Sequence, residues 1–159
     1  DSKRWTNVNL GEAGAEGNIK ALHWTNSAGE RTLVFNATIP TVKNNVDICL
    51  FSNNINEYNL KSLVRHDGRA IMFGELKGGI DPAGADEHWK TGNTALNRIR
   101  DSFSASGYPN IKTSFVGAAI ECAMAEEIYD QLESGTLTNA TNLTNNNQLI
   151  EYCNWLIEL

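Results

Sequence analysis

Residues 70–90 constrain the fold more than any other stretch. Ala70-Ile71-Met72-Phe73 is an apolar strand pattern, and it runs directly into Gly74-Glu75-Leu76-Lys77. Gly78-Gly79-Ile80-Asp81-Pro82-Ala83-Gly84 cannot continue a strand, and Ala85-Asp86-Glu87-His88-Trp89-Lys90 opens a helical pattern. A buried strand ending in charges, then a Gly/Pro turn and a helix, is what a sheet covered by helices requires. The charges also need a reason, because a carboxylate among apolar side chains is costly unless it is paired or bound to a cation.

Around this segment the elements follow from periodicity. Residues 1–26, punctuated by Gly11, Gly14 and Gly17, resist assignment. Arg31-Thr32-Leu33-Val34-Phe35 centres a first strand over residues 30–37, with a connection over 40–45. Val46-Asp47-Ile48-Cys49-Leu50-Phe51 is a second strand, apolar on both faces and therefore expected inside a sheet. A short helix is expected near residues 60–64 and the third strand over 69–77. Ala95, Leu96, Ile99 and Phe103 give the helix over about 85–104 one apolar face. A fourth strand follows over 111–118 and a helix over 121–132. The Asn/Thr-rich residues 136–147 read as a loop or poorly ordered link. Residues 148–159 close the chain as an amphipathic helix with Leu149, Tyr152, Cys153, Leu156 and Ile157 apolar. The expected class is α/β (α+β), a single domain over 1–159 with a mixed central sheet flanked by helices.

Three cysteines, Cys49, Cys122 and Cys153, are too widely spaced for a zinc site and too few for a disulfide framework. They are expected as buried free thiols in a reducing cytoplasm. No apolar run is long enough to span a membrane and no signal peptide is evident, so no membrane partner is expected. The first residue is Asp1 rather than methionine, which points to processing or to a fragment of a longer chain.

A net charge of −6 argues at first sight against a nucleic-acid partner. Its distribution weakens that argument. Residues 1–112 hold all 13 Lys and Arg with 12 acids, whereas residues 113–159 hold 7 acids and no Lys or Arg. The acidic excess is confined to the C-terminal third.

On a strand, Glu75 and Lys77 project to the same side, about 6–7 Å apart. If the second and third strands are neighbours, Asp47 meets Glu75 across the sheet. Two converging carboxylates repel one another and suit a hard divalent cation such as magnesium. A neighbouring lysine then orients or deprotonates a water, or offsets charge developing on a phosphorane. A buried ion triad explains the same three residues, and on spacing alone the two readings stand level. The only other acid-x-lysine match, Asp1-Ser2-Lys3, has no strand around it.

Asp47 followed by Glu75-Leu76-Lys77 on the next apolar strand, then a helix and a strand, resembles the PD-(D/E)xK nuclease superfamily. More specifically, Gly74-Glu75-Leu76-Lys77-Gly78-Gly79 running through Asp81-Pro82-Ala83-Gly84 to Trp89-Lys90 is similar to a segment of the AvaI/BsoBI-like type II restriction endonucleases. The likeness spans residues of about 46 to 100. Val46 stands where the superfamily name has proline, a permissive position. The resemblance implies a restriction-endonuclease-like core, metal binding by Asp47 and Glu75, catalysis by Lys77, and a place for His88 in the active site as general base. At a helix start a neutral imidazole is favoured over its cation, although a packing histidine fits the sequence as well.

For DNA contacts, Asp81 suits a cytosine amino group, with turn formation ahead of Pro82 as the rival. Lys90, Arg98 and Arg100 are phosphate candidates against the alternative of a solvated helix face. Trp89 is expected in the core. The expected activity is Mg2+-dependent hydrolysis of double-stranded DNA at a short site, by a homodimer in a bacterial cytoplasm. Two alternatives are a truncated or inactive DNA-binding domain and a repair nuclease without site specificity.

Overall fold

Six strands form one sheet whose spatial order equals their order in the chain: β1 (Ala21–Asn26), β2 (Gly29–Ile39), β3 (Asn44–Ser52), β4 (Ala70–Lys77), β5 (Lys112–Gly117) and β6 (Asn139–Asn142). The computed structural model describes residues 13, 14, 17, 19–53, 57–79 and 82–159. Strands β1 to β4 are an antiparallel meander, and β4–β5 and β5–β6 are parallel. Parallel neighbours need crossovers, and the helices supply them. α2 (Pro82–Ala105) joins β4 to β5 and α3 (Cys122–Glu133) joins β5 to β6. The short α1 (Leu60–Leu63) precedes β4, and α4 (Asn146–Glu158) ends the chain. The expected mixed sheet flanked by helices is present, in a restriction-endonuclease-like arrangement.

Two apolar layers hold the helices. On one face Phe51, Phe73 and Phe115 meet Trp89, Leu96, Ile99 and Phe103 of α2. Their rings interlock, with centroids 4.8 Å apart for Phe73–Phe103 and 5.0 Å for Trp89–Phe115. Burial of each such ring contributes about 1.5–3 kcal/mol, so this layer fixes α2 over β4 and β5. On the other face Met72 and Val116 meet Tyr152 and Leu156 of α4. Tyr152 is anchored by a 2.7 Å hydrogen bond between its hydroxyl and that of Ser114 on β5. Burial pushes the Tyr152 phenol well above its ordinary range, so it stays a neutral hydrogen-bonding group. The sheet curls around α4: Trp24 and Asn26 of β1 both donate to the Ile157 carbonyl, at 3.1 and 2.8 Å.

Several expectations need correction. Residues 21–26 of the unassigned stretch form β1, while residues 1–12, 15, 16 and 18 lie outside the described residues. Residues 139–142, expected as a link, form β6, because edge pairing to β5 uses backbone groups whatever the side chains. Only Thr141 of that strand is buried, so no apolar pattern announces it. Helix α2 starts at Pro82, three residues before the expected start, since proline fits the first helical position. Cys49 is buried, but Cys122 and Cys153 are exposed, as is Ile157 at 51%. Helix α4 is buried only along Tyr152 and Leu156. Among the described residues no helix is long and apolar enough to cross a membrane.

Candidate active site

β3 and β4 are neighbours, with Cys49 opposite Phe73 and Ile48 opposite Gly74. The paired register ends there, and the charge of Asp47, the next residue of β3, is felt at Glu75. The Asp47 carboxylate accepts a hydrogen bond from the Leu76 backbone N–H, Oδ2 lying 2.8 Å away. On β4, Phe73, Glu75 and Lys77 share the face covered by α2. Glu75 is 5% exposed and accepts from Lys77 Nζ at 3.4 Å. Asp47, Glu75 and Lys77 thus converge from two central strands.

The electrostatics of this group are not those of a satisfied ion triad. Burial, and then the Asp47 charge, hold the Glu75 carboxyl above its ordinary range, and Lys77 and Arg98 offset this only in part. Oxygen donors from two carboxylates, one of them buried and short of positive charge, fit a hard divalent cation. Among the described residues no group of three His, Cys, Asp or Glu side chains is placed to hold a metal. Two carboxylates with the remaining positions left to water and phosphate oxygens match the way magnesium is usually held.

A cleft of about 500 Å3 opens above Glu75 and Lys77. Asn44 and Asn45 border it from the start of β3, and α2 forms its other wall with Glu87, Lys90, Thr91, Thr94, Ala95 and Arg98. That wall follows from helical spacing. α2 approaches β5 closely because residue 92 is glycine: a Cβ there would lie 2.7 Å from Phe115 Cε2 and 3.8 Å from Lys77 Cε. The absent side chain leaves the Lys77 stem its course along the cleft floor. A smaller hollow of about 190 Å3, lined by Glu30, Ser52, Asn53, Glu57 and Arg69, lies at the opposite end of β3, away from these residues.

The remaining candidates divide. Lys90 and Arg98 line the cleft; Lys90 is ion-paired to Asp86 at 2.6 Å, and Arg98 is exposed. His88 lies in the second turn of α2, not the first, because the helix starts at Pro82. Its ring packs on Gly79, with Nε2 occupying the space a Cβ on that residue would need. It therefore meets the loop leaving β4 rather than the lining of the cleft. Asp81 lies outside the described residues. Arg100 is half-buried and bonds Thr113 Oγ1, the Thr136 carbonyl and Asn97, so it ties α2 to β5 instead of facing the cleft. Trp89 is fully buried, as expected, and donates to Glu127 at 2.6 Å. His66 packs on the Tyr58 ring at 4.5 Å, and His23 bonds Thr32. Sequence reasoning missed Asn44, Asn45, Glu87, Thr91 and Thr94. The polar stripe at 87, 90, 91, 94 and 98 was the available signal, while Ala95, expected on the apolar face, turns to the cleft.

A mixed sheet in which one central strand brings an acid to an acid-x-lysine on its neighbour defines the restriction-endonuclease-like class. The chain belongs to the BsoBI restriction endonuclease family: the family model described as "Restriction endonuclease BsobI" matches residues 1–159. It is 54% identical over 140 residues to the type II restriction enzyme BsoBI of Geobacillus stearothermophilus, covering 88% of this chain and 43% of that protein. It is 47% identical over 159 residues to the type II restriction enzyme AvaI of Nostoc sp., covering all of this chain and 50% of that protein, and likewise to AvaI of Anabaena variabilis. The chain spans about half the length of the curated relatives it matches.

Proposed function

We propose that this chain is the catalytic domain of a type II restriction endonuclease, which hydrolyses phosphodiester bonds of double-stranded DNA at a short specific site. The observation that carries the reading is the meeting of the Asp47 carboxylate with the strand that bears Glu75 and Lys77, the latter two on the floor of a cleft walled by Lys90 and Arg98. Relatives named as type II restriction enzymes support the same class.

In this reading Asp47 and Glu75 hold Mg2+, which when bound supplies Lewis acidity at the phosphate and lowers the pKa of water. Lys77 sets an ammonium beside the scissile phosphate, where it offsets the negative charge that grows as water oxygen bonds to phosphorus. His88, packed on Gly79 outside the cleft lining, takes by way of an intervening water the proton that the attacking water loses; the bond from phosphorus to the leaving sugar oxygen breaks, and that oxygen takes a proton from solvent. Lys90 and Arg98 hold neighbouring phosphates, and Asp81 reads a base edge. Palindromic sites are read by two-fold symmetric assemblies, so the working unit is a homodimer.

Incubation with plasmid DNA, with Mg2+ and then with EDTA added first, tests the proposal. Discrete fragments that vanish with EDTA are expected. A smear would replace site specificity with general nuclease activity, and intact plasmid at every Mg2+ concentration would overturn the catalytic reading of this chain.

A further inference from the structure

Both strands of the β2–β3 hairpin turn over at the same rung. On one side of it the alternation is regular. Leu33 and Phe35 face the α4 layer with Ile48 and Leu50, and Val34 faces the α2 layer with Cys49. On the other side the parity is reversed, for Ala37, Ile39 and Val46 all lie in the α2 layer. The register keeps the same offset on both sides, Phe35 pairing with Ile48 and Ala37 with Val46, but the ladder skips the rung between them. The reversal therefore falls on Asn36 and Asp47, the two residues left unpaired between those rungs.

Asn36 carries the unusual backbone. Its φ is +51°, in the left-handed region that Asn tolerates and β-branched residues avoid. Its exposed side chain accepts from Asn45 Nδ2 at 3.1 Å. The consequence is felt at Asp47. Had β3 kept its alternation, Asp47 would share the α2 face with Cys49 and stand directly against Glu75, carboxylate to carboxylate, which is destabilising across a strand pair. With the strand turned over, Asp47 instead reaches along the sheet to the Leu76 N–H, a group that an antiparallel neighbour would ordinarily bond through its backbone. The β3–β4 pairing accordingly ends at Ile48 and Gly74.

We propose that Asn36 is a positioning residue for Asp47: its left-handed backbone turns the hairpin over at this rung and aims the Asp47 carboxylate at the Leu76 N–H, beside Glu75 rather than against it. The link from this geometry to cation binding rests on the functional reading given above. Asn36 touches neither DNA nor metal in this role.

The test compares Asn36→Val, Asn36→Gly and Asn45→Ala. The Leu76 amide is followed by 15N–1H spectra and hydrogen exchange in the metal-free chain, and Mg2+ affinity by calorimetry. Glycine keeps the left-handed backbone without the side chain, and valine resists it. Asn36→Val is expected to shift the Leu76 resonance and to speed its exchange about tenfold or more, as loss of a charge-assisted hydrogen bond does, with a comparable loss of Mg2+ affinity. Asn36→Gly and Asn45→Ala are expected to retain the wild-type Leu76 resonance. A Leu76 amide unmoved in Asn36→Val overturns the proposal, and so does an Asn36→Gly variant as impaired as valine. Should Asn36→Val fail to fold, Asn36→Ala gives the same comparison in milder form. A Leu76 amide that moves while Mg2+ affinity stays unchanged supports the positioning role and removes Asp47 from the cation site.

Discussion

Lys77 Nζ lies 3.4 Å from Glu75 Oε2, and still the Glu75 carboxyl is held above its ordinary range. In an ion pair formed for stability the lysine would win. Here burial and the Asp47 charge outweigh it, so the native environment disfavours ionisation of Glu75.

The sign of the pH effect follows. A carboxyl whose folded pKa exceeds its unfolded value holds its proton more tightly in the native state. In the metal-free chain, the contribution of Glu75 to stability is therefore fully present below the ordinary carboxylate value. It falls as pH rises from there through the raised value of Glu75. Glu75→Gln should remove this step, and Asp47→Asn should move it to lower pH. Urea unfolding of the three proteins between about pH 4 and pH 8 measures it. A wild-type profile in Glu75→Gln would show that the upward shift of Glu75 has no energetic weight.

Cleavage should depend on the same groups. Glu75→Gln and Lys77→Ala are each expected to lower the rate of plasmid cutting by at least about 100-fold, the scale on which a single charge-stabilising group acts. Far-ultraviolet circular dichroism should be unchanged, since neither side chain belongs to the aromatic layer beneath α2. A wild-type rate in either variant rules out the assignment.

That Asp47 comes to the strand bearing Glu75 and Lys77 was legible because the signal is local and physical: an acid-x-lysine closing an apolar strand, and an acid inside another. The strand–turn–helix around Gly74 to Lys90 was legible for the same reason. β6 was not, because an edge strand of Asn and Thr pairs through its backbone and carries no hydrophobic period. The turnover at Asn36 and Asp47 was equally hidden, since a left-handed asparagine leaves the composition of a strand unchanged. The face of α2 that borders the cleft was half legible. Its polar stripe is written in the sequence, but only the packing of Gly92 on Phe115 turns that stripe toward Lys77.

Two basic residues on that stripe should behave differently. Arg98 is felt electrostatically at Glu75, whereas the charge of Lys90 is already matched by Asp86 one turn earlier. Arg98→Ala is expected to weaken DNA binding and to reduce the salt slope of log K by about 1, the signature of one lost phosphate contact. Lys90→Ala should have the smaller effect, because the Lys90 ammonium is already engaged by the Asp86 carboxylate at 2.6 Å rather than free for a phosphate. Fluorescence anisotropy over a salt series, in Ca2+ to suppress cutting, separates the two. Equal slopes in both variants would contradict the distinction.

The packing of His88 on Gly79 makes the last prediction a matter of shape. A methyl on residue 79 would fall where the His88 Nε2 now sits, with Cδ2 also within 2.9 Å, so ring and methyl cannot both stay. Gly79→Ala must therefore rotate the imidazole or push the loop away from α2. Overpacking of this kind costs about 1–3 kcal/mol. If His88 takes the proton from water, Gly79→Ala should slow cleavage nearly as severely as His88→Ala, and neither change should greatly weaken Mg2+ binding. The double variant decides between chemistry and packing. With the ring gone, the methyl has room, so Gly79→Ala/His88→Ala should regain the lost stability and cut no more slowly than His88→Ala alone. Single-turnover cleavage and thermal unfolding of the four proteins give both readings. Strict additivity in rate would mean that residue 79 acts on catalysis by a route other than the histidine, and a His88→Ala rate equal to wild type would reduce the imidazole to a spacer between loop and helix.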